Sequence, residues 1–236
     1  MIKIFWYHKA GFKKNPFSIK PTAELVGVDR ELAELKKNIA TGAIYLLMGE
    51  YGTGKTAVLK NLIREFKGRK RIIFYSYNRR EKSLDLDKLL YGRSIYSKIF
   101  RIKPKNMILL LDEVSGLNMK ERRDLIHYYN KGNLKSIVLV AKNKGDFSLG
   151  KELESLVGEN VLKLGNLTPD QAVKMIRKRI GSLRFLSDKM IRKIHSINKN
   201  TRTFLENCED VCRYAFECNS KSVKEEHLKV LNNQKT

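Results

Sequence analysis

The segment GEYGTGKT, residues 49–56, constrains the fold of this chain more than any other. It follows a short apolar run at 43–48 and precedes a helical pattern at 54–66. The pattern G-x-x-x-x-G-K-[ST] in that context requires a strand, a tight turn and a helix in succession. Gly49, Gly52 and Gly54 let the backbone turn so that successive N–H groups face one centre. The helix behind them adds its positive N-terminal end. Gly49, Glu50, Tyr51, Gly52, Thr53, Gly54, Lys55, Thr56 and Ala57 therefore form a candidate nucleotide-phosphate loop. Lys55 is suited to the β and γ phosphates, and the Thr56 hydroxyl to Mg²⁺.

The surrounding pattern alternates strands and helices. Apolar runs at 71–77, 107–112, 136–141 and 161–164 read as further strands. Helical spacing falls at 29–40, 84–100 and 118–130. In the first of these helices Leu32, Leu35 and Ile39 share a face, Asp29 is the expected N-cap and Gly42 the stop. Such alternation predicts an α/β fold with a five-stranded, mainly parallel sheet flanked by helices.

After Leu164 only helical patterns remain. Pro169 opens one, with Ala172, Val173, Ile176 and Ile180 inward; Met190, Ile191, Ile194 and Ile197 mark a second. Phe204, Leu205, Cys208, Val211, Cys212 and Ala215 mark a third, and 223–231 a fourth. The expected organisation is an aromatic and basic N-terminal arm at 1–25, a nucleotide-binding base domain at 26–165 and a small helical domain at 166–236.

MILLLDEV, residues 107–114, ends an apolar strand in Asp112 and Glu113. Ligands of open parallel sheets sit at the carboxyl ends of strands, which brings this pair beside the phosphate loop. Asp112 is suited to Mg²⁺ coordination through water, and Glu113 to orienting or deprotonating an attacking water. No acceptor pocket for a metabolite is announced, so hydrolysis is favoured over phosphate transfer.

The chain carries 48 Lys+Arg against 25 Asp+Glu, a net charge of +23. That excess points to nucleic acid, an anionic membrane or another polyanion as partner. It gathers at 67–82 (Lys67, Arg69, Lys70, Arg71, Arg79, Arg80, Lys82) and at 165–202. The second stretch holds Lys174, Arg177, Lys178, Arg179, Arg184, Lys189, Arg192, Lys193, Lys199 and Arg202. The alternative for both is a solvated basic surface. No motif reads base edges, so binding is expected to be sequence-independent.

The longest apolar run, 107–111, is far too short to span a bilayer, and the N-terminus lacks the pattern of a signal peptide. A cytoplasmic location is expected. Cys208, Cys212 and Cys218 make no disulfide framework; the first two read as core filler, with a metal pair as the alternative.

Together, GEYGTGKT and MILLLDEV resemble the AAA+ ATPases, and the resemblance runs from about Pro16 to Leu231. It implies ATP and Mg²⁺ as cofactors and ATP hydrolysis as the activity. LVGVDRELAEL, residues 25–35, resembles the segment that packs on adenine, which implies that Val26, Gly27 and Val28 line the base. NKNTRTFLENC, residues 198–208, resembles the third helix of the family's small helical lid and puts Arg202 at its sensor-2 position. After the fourth strand the family places a polar sensor-1 residue; Asn143 is the choice here, with Lys142 as the alternative.

GFKKNPFSIKP, residues 11–21, is similar to two groups: archaeal initiator-like ATPases related to origin recognition, and accessory ATPases of transposition and secretion. The resemblance implies a nucleic acid or nucleoprotein complex as partner. The aromatic arm at Phe5–Tyr7 either docks a protein partner or packs against the fold. Two departures stand out. Residues 143–160 contain no arginine, so the family's arginine finger has no clear source there, and Arg122 and Arg123 are the substitutes; oligomerisation stays open. The helical region is also expected to lack a following winged-helix domain.

Overall fold

The computed structural model describes residues 5–22, 25–66, 71–77, 84–91, 103–114, 116–143 and 148–231. The chain divides into two compact units. One comprises 22–24 and 28–165, and the other 1–21, 25–27 and 166–236.

The first unit is built on a parallel sheet in the order β2-β3-β4-β1-β5. Its strands are β1 (Ile44–Gly49), β2 (Ile72–Ser76), β3 (Met107–Asp112), β4 (Leu134–Ala141) and β5 (Val161–Leu164). Every residue of β1 and β3 is buried, because helices cover both faces. On one face Leu46, Leu109, Leu139 and their neighbours pack with Leu125 and Tyr128 of one helix and Leu153 of another. On the other, helices Asp29–Thr41 (α2) and Lys55–Glu65 (α3) lie against β1. The remaining helices of this unit are α4 (Leu86–Tyr91), α5 (Met119–Asn130) and α6 (Lys151–Val157).

Local chemistry fixes several boundaries. Asn118 caps α5 in a full capping box with Glu121. Glu121 is buried, and its second oxygen accepts from the Leu84 N–H at 2.7 Å, so one carboxylate ties two segments together. One sequence expectation is corrected and another is met only in part within the described residues. Asp29 is the first residue of α2 rather than its N-cap; the cap is Val28, with no side-chain bond, and Asp29 serves the helix dipole instead. Helix α4 spans only Leu86–Tyr91 among the described residues, and 92–100 lie outside them.

The second unit holds the helices α1 (Trp6–Lys9), α7 (Pro169–Ile180), α8 (Asp188–Ile197) and α9 (Thr201–Glu217). Thr168 and Gln171 form a capping box on α7, Ser187 caps α8, and Asn200 caps α9. The segment at 223–231 forms a 3-10 helix, Glu225–Leu231, not an α-helix. It packs along α9 through Leu231 and Leu228, and so short a piece needs no α-helical register. Cys208 and Cys212 are buried in the shared core with Phe204, Val211 and Ala215.

Of the N-terminal aromatic residues, Trp6, Phe12 and Phe17 belong to this same core, whereas Phe5 is exposed. Trp6 stacks on Phe17 at 5.9 Å and lies 5.7 Å from Phe216. The Arg179 guanidinium donates to the carbonyls of Pro16 and Ser18 on either side of Phe17. Aromatic side chains otherwise left in water account for this docking of the arm.

Candidate nucleotide site

Three neighbouring strands end side by side, and each delivers part of the site. β1 runs into the glycine loop, β4 into Lys142 and Asn143, and β3 into Asp112 and Glu113. The loop is anchored at its start, where the Gly49 N–H donates to the Lys142 carbonyl at 3.1 Å. A Cβ at Gly49 would meet the Leu164 carbonyl oxygen at 2.8 Å, so only glycine fits between β1 and β5 there. Gly54, at φ 102°, caps α3 in a conformation that an L side chain resists.

The loop holds itself in shape. Thr53 donates through both its hydroxyl (2.8 Å) and its N–H (3.3 Å) to the Glu50 carbonyl. The Lys55 ammonium donates to the Gly49 and Glu50 carbonyls and lies half-buried inside the loop. Burial pushes it below its ordinary pKa, while the charges of Asp112, Glu50 and Glu113 act the other way. Thr56 is exposed and Ala57 buried in the first turn of α3; Tyr51 projects outward, 64% exposed.

Asp112 is buried at the end of β3. Desolvation and the like charge of Glu113 raise its carboxyl above the usual range, against the pull of Lys55. Glu113 is exposed, with φ 57°. Its neighbours explain that left-handed turn. The Asp112 carbonyl accepts from Tyr77 N–H at 3.2 Å, and Val114 N–H donates to the Val140 carbonyl at 2.8 Å. Both flanking peptides are fixed in the sheet, and Glu113 absorbs the change of direction at a cost of about 1–2 kcal/mol. Such strain, when held by its surroundings, is typical of functional positions.

One carboxylate engages both sensor-1 candidates. Asn143 Nδ2 donates to Glu50 Oε1 at 3.0 Å, and Lys142 Nζ lies 3.4 Å from Glu50 Oε2. These contacts, the Asn143 hydrogen bond foremost, hold the Glu50 carboxyl below its usual pKa. Sequence reasoning took Glu50 only as a loop backbone position; nothing in the one-dimensional spacing announces a bridge across 93 residues.

Thr56 and Asp112 offer only hard oxygen donors, a set suited to Mg²⁺. Among the described residues no three His, Cys, Asp or Glu side chains converge as a metal cage. A Mg²⁺ held largely by nucleotide phosphates and water needs only one or two protein oxygens.

Val26 is buried and Gly27 exposed in the helical unit, where the Gly27 carbonyl accepts from Gln171 Nε2 at 3.5 Å. Val28 falls in the sheet unit. Arg202 opens α9 and pairs with Glu206 at 3.3 Å. Arg122, one substitute for a finger, donates from Nε to the Leu117 carbonyl at 2.9 Å; Arg123 is exposed.

Much of the helical unit's positive charge has internal partners. Arg177 binds Asp188, Arg192 binds Asp170, Lys193 binds Glu225, and Lys178 reaches the Leu25 carbonyl. Of the basic run at 67–82, only Arg71 lies within the described residues. No helix among the described residues is long and apolar enough to cross a membrane.

No family model and no curated protein matches the sequence. Solved structures do match. A Drosophila ORC structure bound to DNA superposes with TM-score 0.67 at 16% identity, over 94% of this chain and 64% of that one. Cdc6p from Pyrobaculum aerophilum gives TM-score 0.72 at 17% identity, over 94% and 71%. Domain III of the replication initiation protein DnaA from Thermotoga maritima gives 0.60 at 16%, over 93% and 97%. This chain thus spans somewhat less than two thirds of the ORC chain. The likeness establishes the fold: an α/β P-loop NTPase-like fold with a five-stranded parallel sheet flanked by helices, shared with these structures.

Proposed function

We propose that this chain is a AAA+ switch that binds ATP with Mg²⁺, hydrolyses it, and acts on nucleic acid or a nucleoprotein assembly. The observation that carries this reading is the convergence of loop 49–57, Asp112–Glu113 and Asn143 at three adjacent strand ends. Lys55, now held by two carbonyls, would turn to the β and γ phosphates. Thr56 and Asp112 would hold Mg²⁺, which neutralises phosphate charge when bound. Glu113 would accept the proton of the attacking water, and Asn143 would orient that water or the γ-phosphate. Val26, Gly27 and Val28 would line the adenine, and Arg202 would report the γ-phosphate from the helical lid. In this reading 1–25 are the N-terminal arm, 26–165 the base domain and 166–236 the lid, and the protein acts in the cytoplasm.

The nucleic-acid half draws on the net charge of +23 and on similar structures that are DNA-bound or named for replication initiation. ATP turnover measured alone and with single- and double-stranded DNA and RNA tests it. Stimulation by a nucleic acid supports the reading, and turnover with no binding to any of them at low salt overturns this half. The second reading is a nucleotide-switched assembly factor with little hydrolysis, for which the absence of arginine at 143–160 speaks. Docking a partner through the aromatic arm is disfavoured by Trp6 and Phe17, which are already stacked on one another.

A further inference from the structure

The sheet has a second charged edge, opposite the strand ends that carry the nucleotide site. At the N-terminal ends of β2, β3 and β4 lies a cavity of about 470 Å³. Arg71 precedes β2, Lys105 and Asn106 precede β3, and Lys135 is the second residue of β4. Buried Met107 and Ile108 supply apolar wall, and Ala40 of α2 also lines it. Among the described residues no acidic side chain lines this cavity. None of the three cations forms an ion pair with a described residue. In the helical unit, by contrast, Arg177, Arg179, Arg192 and Lys193 are each held by an internal acceptor.

Like charges around one concave surface focus a positive potential outward. The negative C-terminal end of α2 reaches the cavity at Ala40 and opposes that potential, but its carbonyls are partly used. Gly42 N–H and the Thr41 hydroxyl both donate to the Asn38 carbonyl. The three cations stand at the ends of three neighbouring strands. At about 4.8 Å per strand the row spans about 10 Å. One small phosphate cannot bridge that row, whereas successive phosphates of a chain can. Arg71 and Lys105 are exposed, as contacts to a passing backbone require.

We propose that this cavity is an anion site separate from the nucleotide site, and that it takes the sugar–phosphate backbone of a nucleic acid. The inference rests on the nucleic-acid half of the proposed function and assigns that half a location. Asn106 adds amide donors for phosphate or sugar oxygens. Contacts of this kind carry no base readout.

The test is the full chain with Arg71→Gln, Lys105→Gln and Lys135→Gln combined, titrated with labelled oligonucleotides between 50 and 200 mM salt, roughly the window where phosphate contacts dominate. Three lost phosphate contacts lower the salt slope by about 2–3. An unchanged slope in a triple variant that still binds ATP overturns the site alone. A wild-type chain that binds no oligonucleotide overturns the nucleic-acid reading and the site with it. Inorganic tripolyphosphate binding that is lost in the variant while oligonucleotide binding persists reassigns the cavity to a free polyphosphate and overturns the proposal. A parallel triple change at Lys174, Lys189 and Lys199 is expected to lower the slope less.

Discussion

Replacing Phe17 by alanine probes how the N-terminal segment is built into the helical unit. Phe17 is 1% exposed, stacks on Trp6 and packs in the core formed by α7, α8 and α9. Its own N–H donates to Asn15 Oδ1 at 2.9 Å, and the carbonyls on either side take Arg179. The backbone around it is therefore pinned and cannot collapse into the space the ring leaves. A Phe→Ala change at a fully buried, pinned site costs about 3–5 kcal/mol. With an m-value of about 2 kcal/mol/M, the urea midpoint falls by about 1.5–2.5 M. Trp6 is the sole tryptophan, so its fluorescence reports this contact directly. Phe5, 45% exposed, serves as the control, and Phe5→Ala is expected to change stability by no more than about 0.5 kcal/mol. A Phe17→Ala midpoint within about 0.3 M of wild type, with Trp6 emission unchanged, refutes the packing of the segment.

Three other outcomes follow from the geometry. Gly49→Ala puts a methyl 2.8 Å from the Leu164 carbonyl, and a loss of about 1–3 kcal/mol is expected by urea titration, together with weakened ATP binding. Glu50→Ala frees Asn143 and Lys142 and is expected to change ATP turnover while leaving the folded midpoint unmoved; an unaltered rate would mean the bridge has no bearing on the site. His195 is buried, and burial holds its pKa below the ordinary value, with the backbone hydrogen bond to Leu167 opposing and the Lys199 charge adding. The unfolded chain then binds the extra proton, so stability is full above about pH 6.5 and declines as pH falls below it. His195→Gln is expected to flatten the urea midpoint over that window, and an equal decline in wild type and variant would refute the assignment.

The sheet and the glycine loop were legible because their signals are local. Apolar runs bounded by turns mark buried strands, and the glycines at 49, 52 and 54 have a backbone reason that spacing displays. What stayed hidden depends on tertiary contact. The bridge from Glu50 to Asn143 joins two strand ends distant in sequence. The left-handed turn at Glu113 comes from hydrogen bonds to β4 and to Tyr77 on either side, which no propensity encodes. Asp29 looked like a cap by residue type, but the chain enters α2 one residue earlier. The aromatic arm was open between a docking peptide and a packed element; the rings of Phe17 and Phe216 decide for packing. Part of the basic charge on the helical unit, read as a surface for polyanions, holds loops and helix ends in place through Arg177 and Arg179.

The central claim concerns the three strand ends that meet at the loop. ATP binding and Mg²⁺-dependent turnover, measured side by side for the wild-type chain and for Glu113→Gln, test it most directly. The wild-type chain is predicted to bind and hydrolyse ATP. Glu113→Gln is predicted to bind ATP as tightly, with turnover lowered about 100-fold or more, the usual range for loss of a positioned base. A wild-type chain that binds no ATP, or a Glu113→Gln variant that turns it over undiminished, contradicts it.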